Sequence, residues 1–126
     1  MKIKILCLVS VVLVMLVSCT KDVMQPTVVP TNTSVKFSTD VYPVFSKYSC
    51  TGCHSAASPA SGLSLEGTPS TVRTNLLTTN AVVPSSSATS PLYEKFANSG
   101  IHNGLSMTPA EVGNIKSWID LGALNN

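Results

Sequence analysis

The residues of this chain whose types and spacing could do chemistry lie close together. Cys50-Thr51-Gly52-Cys53-His54 sets two thiols three positions apart, with an imidazole directly after the second. Cys-x-x-Cys-His is the attachment pattern for a c-type haem. Two thiols so spaced at the end of a short helix can each add to one of the two vinyl groups of the macrocycle. The next residue, His54, then brings an imidazole nitrogen to the iron on the proximal face. Covalent attachment suits a protein outside the cytoplasm, where a lost haem is not easily recovered. Gly52 is expected to serve the tight backbone between the cysteines. Other chemistries compete for the same residues. A disulfide oxidoreductase also uses Cys-x-x-Cys, but within a βαβ context, with a strand before the motif and a helix after it. A zinc site could draw on Cys50, Cys53, His54 and His102, although the adjacent Cys53 and His54 would then have to converge on one ion. A disulfide across only two intervening residues closes a strained ring. One covalently bound haem c is therefore the preferred cofactor.

The surrounding sequence must position that motif. Before it, Val41, Val44, Phe45 and Tyr48 fall at i, i+3, i+4 and i+7, which predicts a short helix with one apolar face. Thr39 or Asp40 could cap this helix, with Pro43 in its first turn. After the motif, Ser, Ala, Pro and Gly up to Gly62 read as a loop, and Leu63 and Leu65 could dock into a core. Thr68-Pro69 opens a second helix running to about Leu77. Val82-Val83-Pro84 reads as a short extended piece, and Ser90-Pro91 opens a third helix with Leu92 and Phe96 on one face. The last helix carries the clearest signals. Thr108-Pro109-Ala110-Glu111 is a capping box with proline at the first helical position. Val112, Ile115 and Ile119 follow at helical spacing beside Trp118, and Gly122 supplies the stop. These signals predict an all-α domain over residues 36–126, small and rich in loops. Some 90 residues in short helices make a thin core, so a bound group should help to hold it.

Asp40-Val-Tyr-Pro-Val-Phe leading into Cys50-Thr-Gly-Cys-His54, with Leu63-Ser-Leu, Val82-Val-Pro, Ser90-Pro-Leu-Tyr93 and Glu111-Val through Ile115-Lys-Ser-Trp-Ile-Asp-Leu-Gly-Ala123, resembles small monohaem cytochrome c domains. The likeness is to those of secreted proteins of the Bacteroidetes and Planctomycetes type. It covers roughly residues 37–124 and is most specific at its two ends. The resemblance implies a cytochrome c-like fold, with the first and last helices crossing beside the haem edge. It also implies electron transfer with redox partner proteins rather than catalysis. Cys50 and Cys53 would be the thioether anchors and His54 the proximal iron ligand.

The sixth iron position departs from the family pattern, which offers a methionine before the last helix, often as Met-Pro-Pro. Here the domain's only methionine is Met107, immediately before the Thr108 cap. Met107 and Val112 occupy the positions of a hydrophobic staple, which would turn the Met107 side chain back onto its own helix. His102 stands six residues before the cap, where a distal-ligand loop is expected. His102 is thus the first candidate for the distal position, Met107 the second, and an open site the third. Methionine would raise the potential above that of a bis-imidazole iron. An open position would suit the alternative function, a haem enzyme or sensor of the peroxidase-like or small-ligand-binding kind.

The N-terminal residues read as an address. Lys2 and Lys4 precede an apolar run from Ile5 to Val17, shorter than the ~20 residues that a spanning helix needs. Leu16-Val17-Ser18-Cys19 resembles a bacterial lipobox, so residues 1–18 are expected to be a lipoprotein signal peptide and Cys19 the lipidated residue. An ordinary secretory peptide, leaving Cys19 a free thiol, is the alternative. Residues 19–35 then form a flexible tether carrying Pro26 and Pro30. About 15 such residues reach ~50 Å when extended. The expected location is the cell envelope of a Gram-negative-type bacterium, on the inner or outer membrane, with the haem domain periplasmic or at the surface. Loss of the signal removes Cys7, Lys2 and Lys4, so the 8 basic residues that face 6 acidic ones in the full chain become 6 against 6. That balance gives no footprint for nucleic acid. The sequence also offers no Ser/His/Asp constellation, phosphate loop or glycosidase-type carboxylate pair.

Overall fold

The computed structural model describes residues 34–126, so the signal, Cys19 and nearly all of the tether lie outside the described residues. Four α-helices carry the described chain: α1 (Tyr42–Lys47), α2 (Pro69–Thr78), α3 (Pro91–Phe96) and α4 (Pro109–Asp120). A wide π-type turn, Phe37–Val41, leads into α1, and single 3₁₀ turns at Cys50–Gly52, Ala60–Gly62, Ser87–Thr89 and Ala97–Ser99 punctuate the connections. The described residues form no strand, only two isolated bridges, His54 with Pro59 and His102 with Leu105. The class is all-α, as the periodicity predicts. No described helix is long and apolar enough to cross a membrane.

Local chemistry accounts for most of these boundaries. Thr68 caps α2 by accepting the Thr71 N–H at 3.2 Å, with Pro69 at the first helical position. The Thr108–Glu111 capping box of α4 is fully formed. At its other end, the Ala123 N–H bonds the Trp118 carbonyl and the Gly122 N–H bonds the Ile119 carbonyl, both at 2.9 Å. This is a Schellman stop, and Gly122 takes the left-handed φ of +98° that it requires. One start differs from the sequence expectation. Neither Thr39 nor Asp40 caps α1; the helical course begins earlier, at Phe37, and Asp40 accepts the Lys36 N–H at 2.7 Å. The C-terminal Asn126 does that capping instead. Its side-chain oxygen accepts the Phe37 N–H and its main-chain oxygen accepts the Ser38 N–H. α3 opens at Ser90-Pro91 as expected, with the fully buried Ser90 hydroxyl committed to the Val83 N–H and the Ser86 carbonyl rather than to the helix end.

One core binds the helices. Phe37, Val41 and Phe45 from the first segment, Val72 and Leu76 from α2, and Ile115, Trp118 and Ile119 from α4 are buried together with Leu65, Val82 and Ala123. The Phe37 and Trp118 rings lie 4.6 Å apart, which locks the first helical turn to α4. The Trp118 N–H finds the Leu124 carbonyl at 2.9 Å, so its polar edge is satisfied. Each such large side chain contributes about 1.5–3 kcal/mol by leaving water. Val35, which the sequence puts at the end of the tether, is only 3 % exposed and belongs to this core.

Candidate functional site

The Cys-x-x-Cys-His segment forms a tight helical turn just beyond α1. Ser49 adopts a left-handed φ of +52°, which ends α1 and redirects the chain. The Gly52, Cys53 and His54 N–H groups then bond back to the Ser49, Cys50 and Cys50 carbonyls. Gly52 itself has neither a positive φ nor any atom within 4 Å of where a Cβ would stand, so this turn does not demand glycine. Cys50 is half-buried, and burial pushes its thiol pKa up. Cys53 is exposed, and the two thiols are not joined in a disulfide.

His54 is held from two sides. Its Nδ1 lies 3.0 Å from the Leu63 carbonyl oxygen, and its own carbonyl accepts the Leu65 N–H at 2.8 Å. A carbonyl can only accept, so Nδ1 carries a proton, which in the neutral ring leaves the lone pair on Nε2. The Leu63–Leu65 strip is itself pinned by Asn75 of α2, whose amide donates to the Ser64 carbonyl at 3.0 Å. This is the usual second contact of a metal-ligating histidine.

Across from it stands the segment between α3 and α4. Gly100 passes so close to the Lys95 carbonyl that a Cβ there would collide with it. The chain then makes a miniature hairpin, with His102 and Leu105 exchanging both main-chain hydrogen bonds at 3.0 and 2.9 Å. Asn103 and Gly104 between them have φ of +50° and +78°, the signature of a type I′ turn. The buried Phe96 ring meets the His102 ring edge-on at 6.1 Å and 82°. Burial first, then Lys95 and His54 nearby, lower the His102 pKa, which favours the neutral imidazole.

Between these walls lies a cleft of about 240 Å³ that opens to solvent. Its surface is largely apolar, from Phe45, Leu63, Leu65, Leu92 and Phe96, and Cys50, His54, His102 and Met107 also line it. The His54 and His102 ring centres stand 6.2 Å apart with planes inclined by 33°. Met107 lines this cleft and also a smaller one shared with Val112, its partner in the expected staple. Cys53 does not line the cleft. Among the described residues no group of three or more His, Cys, Asp or Glu could hold a metal ion.

One further residue links the walls. Glu111 Oε2 accepts the Tyr48 hydroxyl at 2.7 Å and the Thr108 N–H at 2.9 Å, while Oε1 takes Lys47 Nζ at 2.6 Å. Burial alone would raise the Glu111 pKa, but these bonds outweigh it and hold the carboxyl at about 2.

The sequence reading thus named five residues at one place, four lining the cleft and Cys53 beside it. It passed over Phe96 as a neighbour of His102, Asn75 as a support of the Leu63–Leu65 strip, and Glu111 beyond its capping role. Asn103-Gly104 was the readable signal for the hairpin, since that dipeptide is the strongest short-range turn marker. No family model matches the chain, nor does any curated protein or solved structure, so the site is interpreted from its own residues.

Proposed function

We propose that the protein is a membrane-tethered, extracytoplasmic monohaem c-type cytochrome, an electron carrier of cytochrome c-like fold with one covalently attached haem in the cleft. The observation that carries this reading is the spacing of the two imidazoles that line one cleft. Two imidazoles bound to opposite sides of one metal ion place their ring centres about 6 Å apart, given metal–nitrogen bonds of about 2 Å. The 6.2 Å between His54 and His102 matches that spacing. A zinc ion held by protein alone wants four ligands, and two facing histidines without a third neighbour do not supply them. A metal whose remaining ligands come from a flat apolar macrocycle fits the same two residues and the same apolar walls.

When bound, the haem would supply a one-electron Fe(III)/Fe(II) couple. The chain's own residues do the rest. Cys50 and Cys53 would tether it through thioethers, and His54 would present Nε2 to the proximal side with its ring fixed by the Leu63 carbonyl. His102 would fill the distal side, oriented by the hairpin and by Phe96. Leu63, Leu65, Leu92 and Phe96 would keep water from the macrocycle. With His54 and His102 both holding the iron, no site would be left for a substrate, which favours a carrier over an enzyme or sensor. Lipidation at Cys19 would hold the domain on a membrane, within reach of redox partner proteins.

The test is haem content of the intact chain made in a host with c-haem attachment machinery. Haem that survives acid-acetone extraction is expected. Its haemochrome band should shift toward that of one remaining vinyl group in either Cys50→Ala or Cys53→Ala. A colourless protein, or haem extracted by acid-acetone, overturns the reading.

A further inference from the structure

The capping box of α4 needs only Thr108 and Glu111. The other bonds of the Glu111 carboxylate, to Tyr48 and Lys47, do nothing for the helix end, yet they are among the shortest in the molecule. Their geometry has a different logic. Tyr48 closes α1 two residues before Cys50, where the proximal wall begins. Thr108 follows Met107 directly, where the distal segment carrying His102 ends. One carboxylate therefore ties the start of one wall to the end of the other. Its side chain is only 15 % exposed but that of Lys47 is 58 % exposed, so solvent screens the ion pair, while the part-buried bond from the Tyr48 hydroxyl to the charged carboxylate is of the stronger class.

We propose that Glu111 is a positioning residue that holds the distal segment over the Cys-x-x-Cys-His turn and thereby keeps the protein's own side chain in the sixth iron position. This rests on the haem reading above. Glu111 acts through Thr108 and Tyr48 and touches no reacting atom. Asp120, on the same helix, provides the contrast: its carboxylate takes Lys116 and the Ser87 N–H, away from both walls.

The test is the rate at which cyanide binds the ferric, haem-loaded full chain, a rate limited by departure of the distal side chain. Losing a hydrogen bond to a charged group is worth about 1.5–3 kcal/mol, so Glu111→Gln is expected to speed cyanide binding roughly tenfold or more. Tyr48→Phe should shift the rate in the same direction by less, and Asp120→Asn should leave it at the wild-type value even where it lowers the melting temperature. If Glu111→Gln and Tyr48→Phe lower the melting temperature but leave the cyanide rate unchanged, Glu111 is a structural cap only and the inference fails. Should Glu111→Gln not fold, Tyr48→Phe decides by the same criterion. A wild-type chain without covalent haem overturns the functional reading itself, a result separate from an unmoved rate.

Discussion

At the scale of single residues, His102 and Met107 carry the sharpest question. Both line the cleft, but only His102 faces His54 at the spacing of two axial imidazoles, with Phe96 fixing its ring. His102→Ala is therefore expected to convert the ferric haem from low to high spin, read from its visible spectrum. Met107→Ala should leave it low-spin. The reverse pattern would make Met107 the ligand. That Cys50, Cys53 and His54 share one turn just beyond α1 was legible, because they lie in contiguous sequence. The position of Met107 was not, since a staple pattern gives a neighbour along the helix and not the direction of an unbranched, adaptable side chain. Nor was the partner of His54 Nδ1, a main-chain carbonyl nine residues away that no side-chain pattern marks.

At the scale of elements, the caps were the readable part. Thr68-Pro69, Thr108 to Glu111 and Gly122 each mark a boundary that the structure keeps, because a cap is a local bargain between neighbouring groups. The start of the first helix was misread because its partner, Asn126, lies 89 residues away. Two predictions belong here. Gly104 sits at φ +78° with nothing crowding its missing Cβ, so Gly104→Val should act through backbone strain alone. We expect it to loosen the hairpin and raise the high-spin fraction of the ferric protein, with little change in far-UV circular dichroism. The second concerns acid. The Glu111 carboxyl is depressed from an ordinary 4.5 to about 2 by Lys47, Thr108 and Tyr48 against the opposing effect of burial. A carboxyl lowered on folding lends stability that is present above its unfolded value and lost as pH falls through its folded one. The melting temperature of Glu111→Gln should thus lie below wild type at pH 7, by the equivalent of about 1–3 kcal/mol after allowance for solvent screening. That gap should close between pH 4.5 and about 2. A gap that stays constant across this window would show that the carboxylate charge is not what stabilises the contact.

At the scale of the whole molecule, the all-α class was legible because helical periodicity is written in the sequence itself. Phe37, Trp118 and their neighbours form the core, and the half-buried Leu63 and Leu92 line the cleft together with the core residues Phe45 and Leu65. A haem seated there would bury that lining, and its removal should weaken the fold. Replacing Cys50 and Cys53 together by Ala is expected to lower the melting temperature well below that of the haem-loaded chain. Each kcal/mol lost corresponds to about 4–8 °C in a domain of this size. At the N-terminus, Cys19→Ser should move the protein from the membrane fraction to the soluble one, as fractionation of the envelope would show; an unchanged membrane fraction would speak against a lipid anchor.

The measurement that reaches the central claim most directly is the ferric spectrum, optical and paramagnetic, of the intact wild-type protein matured with c-haem. The account predicts one covalent low-spin haem with two imidazole ligands, no sulfur-to-iron charge-transfer band, and no immediate change on adding cyanide. A high-spin ferric haem that binds cyanide at once, or a protein that carries no haem, would contradict it.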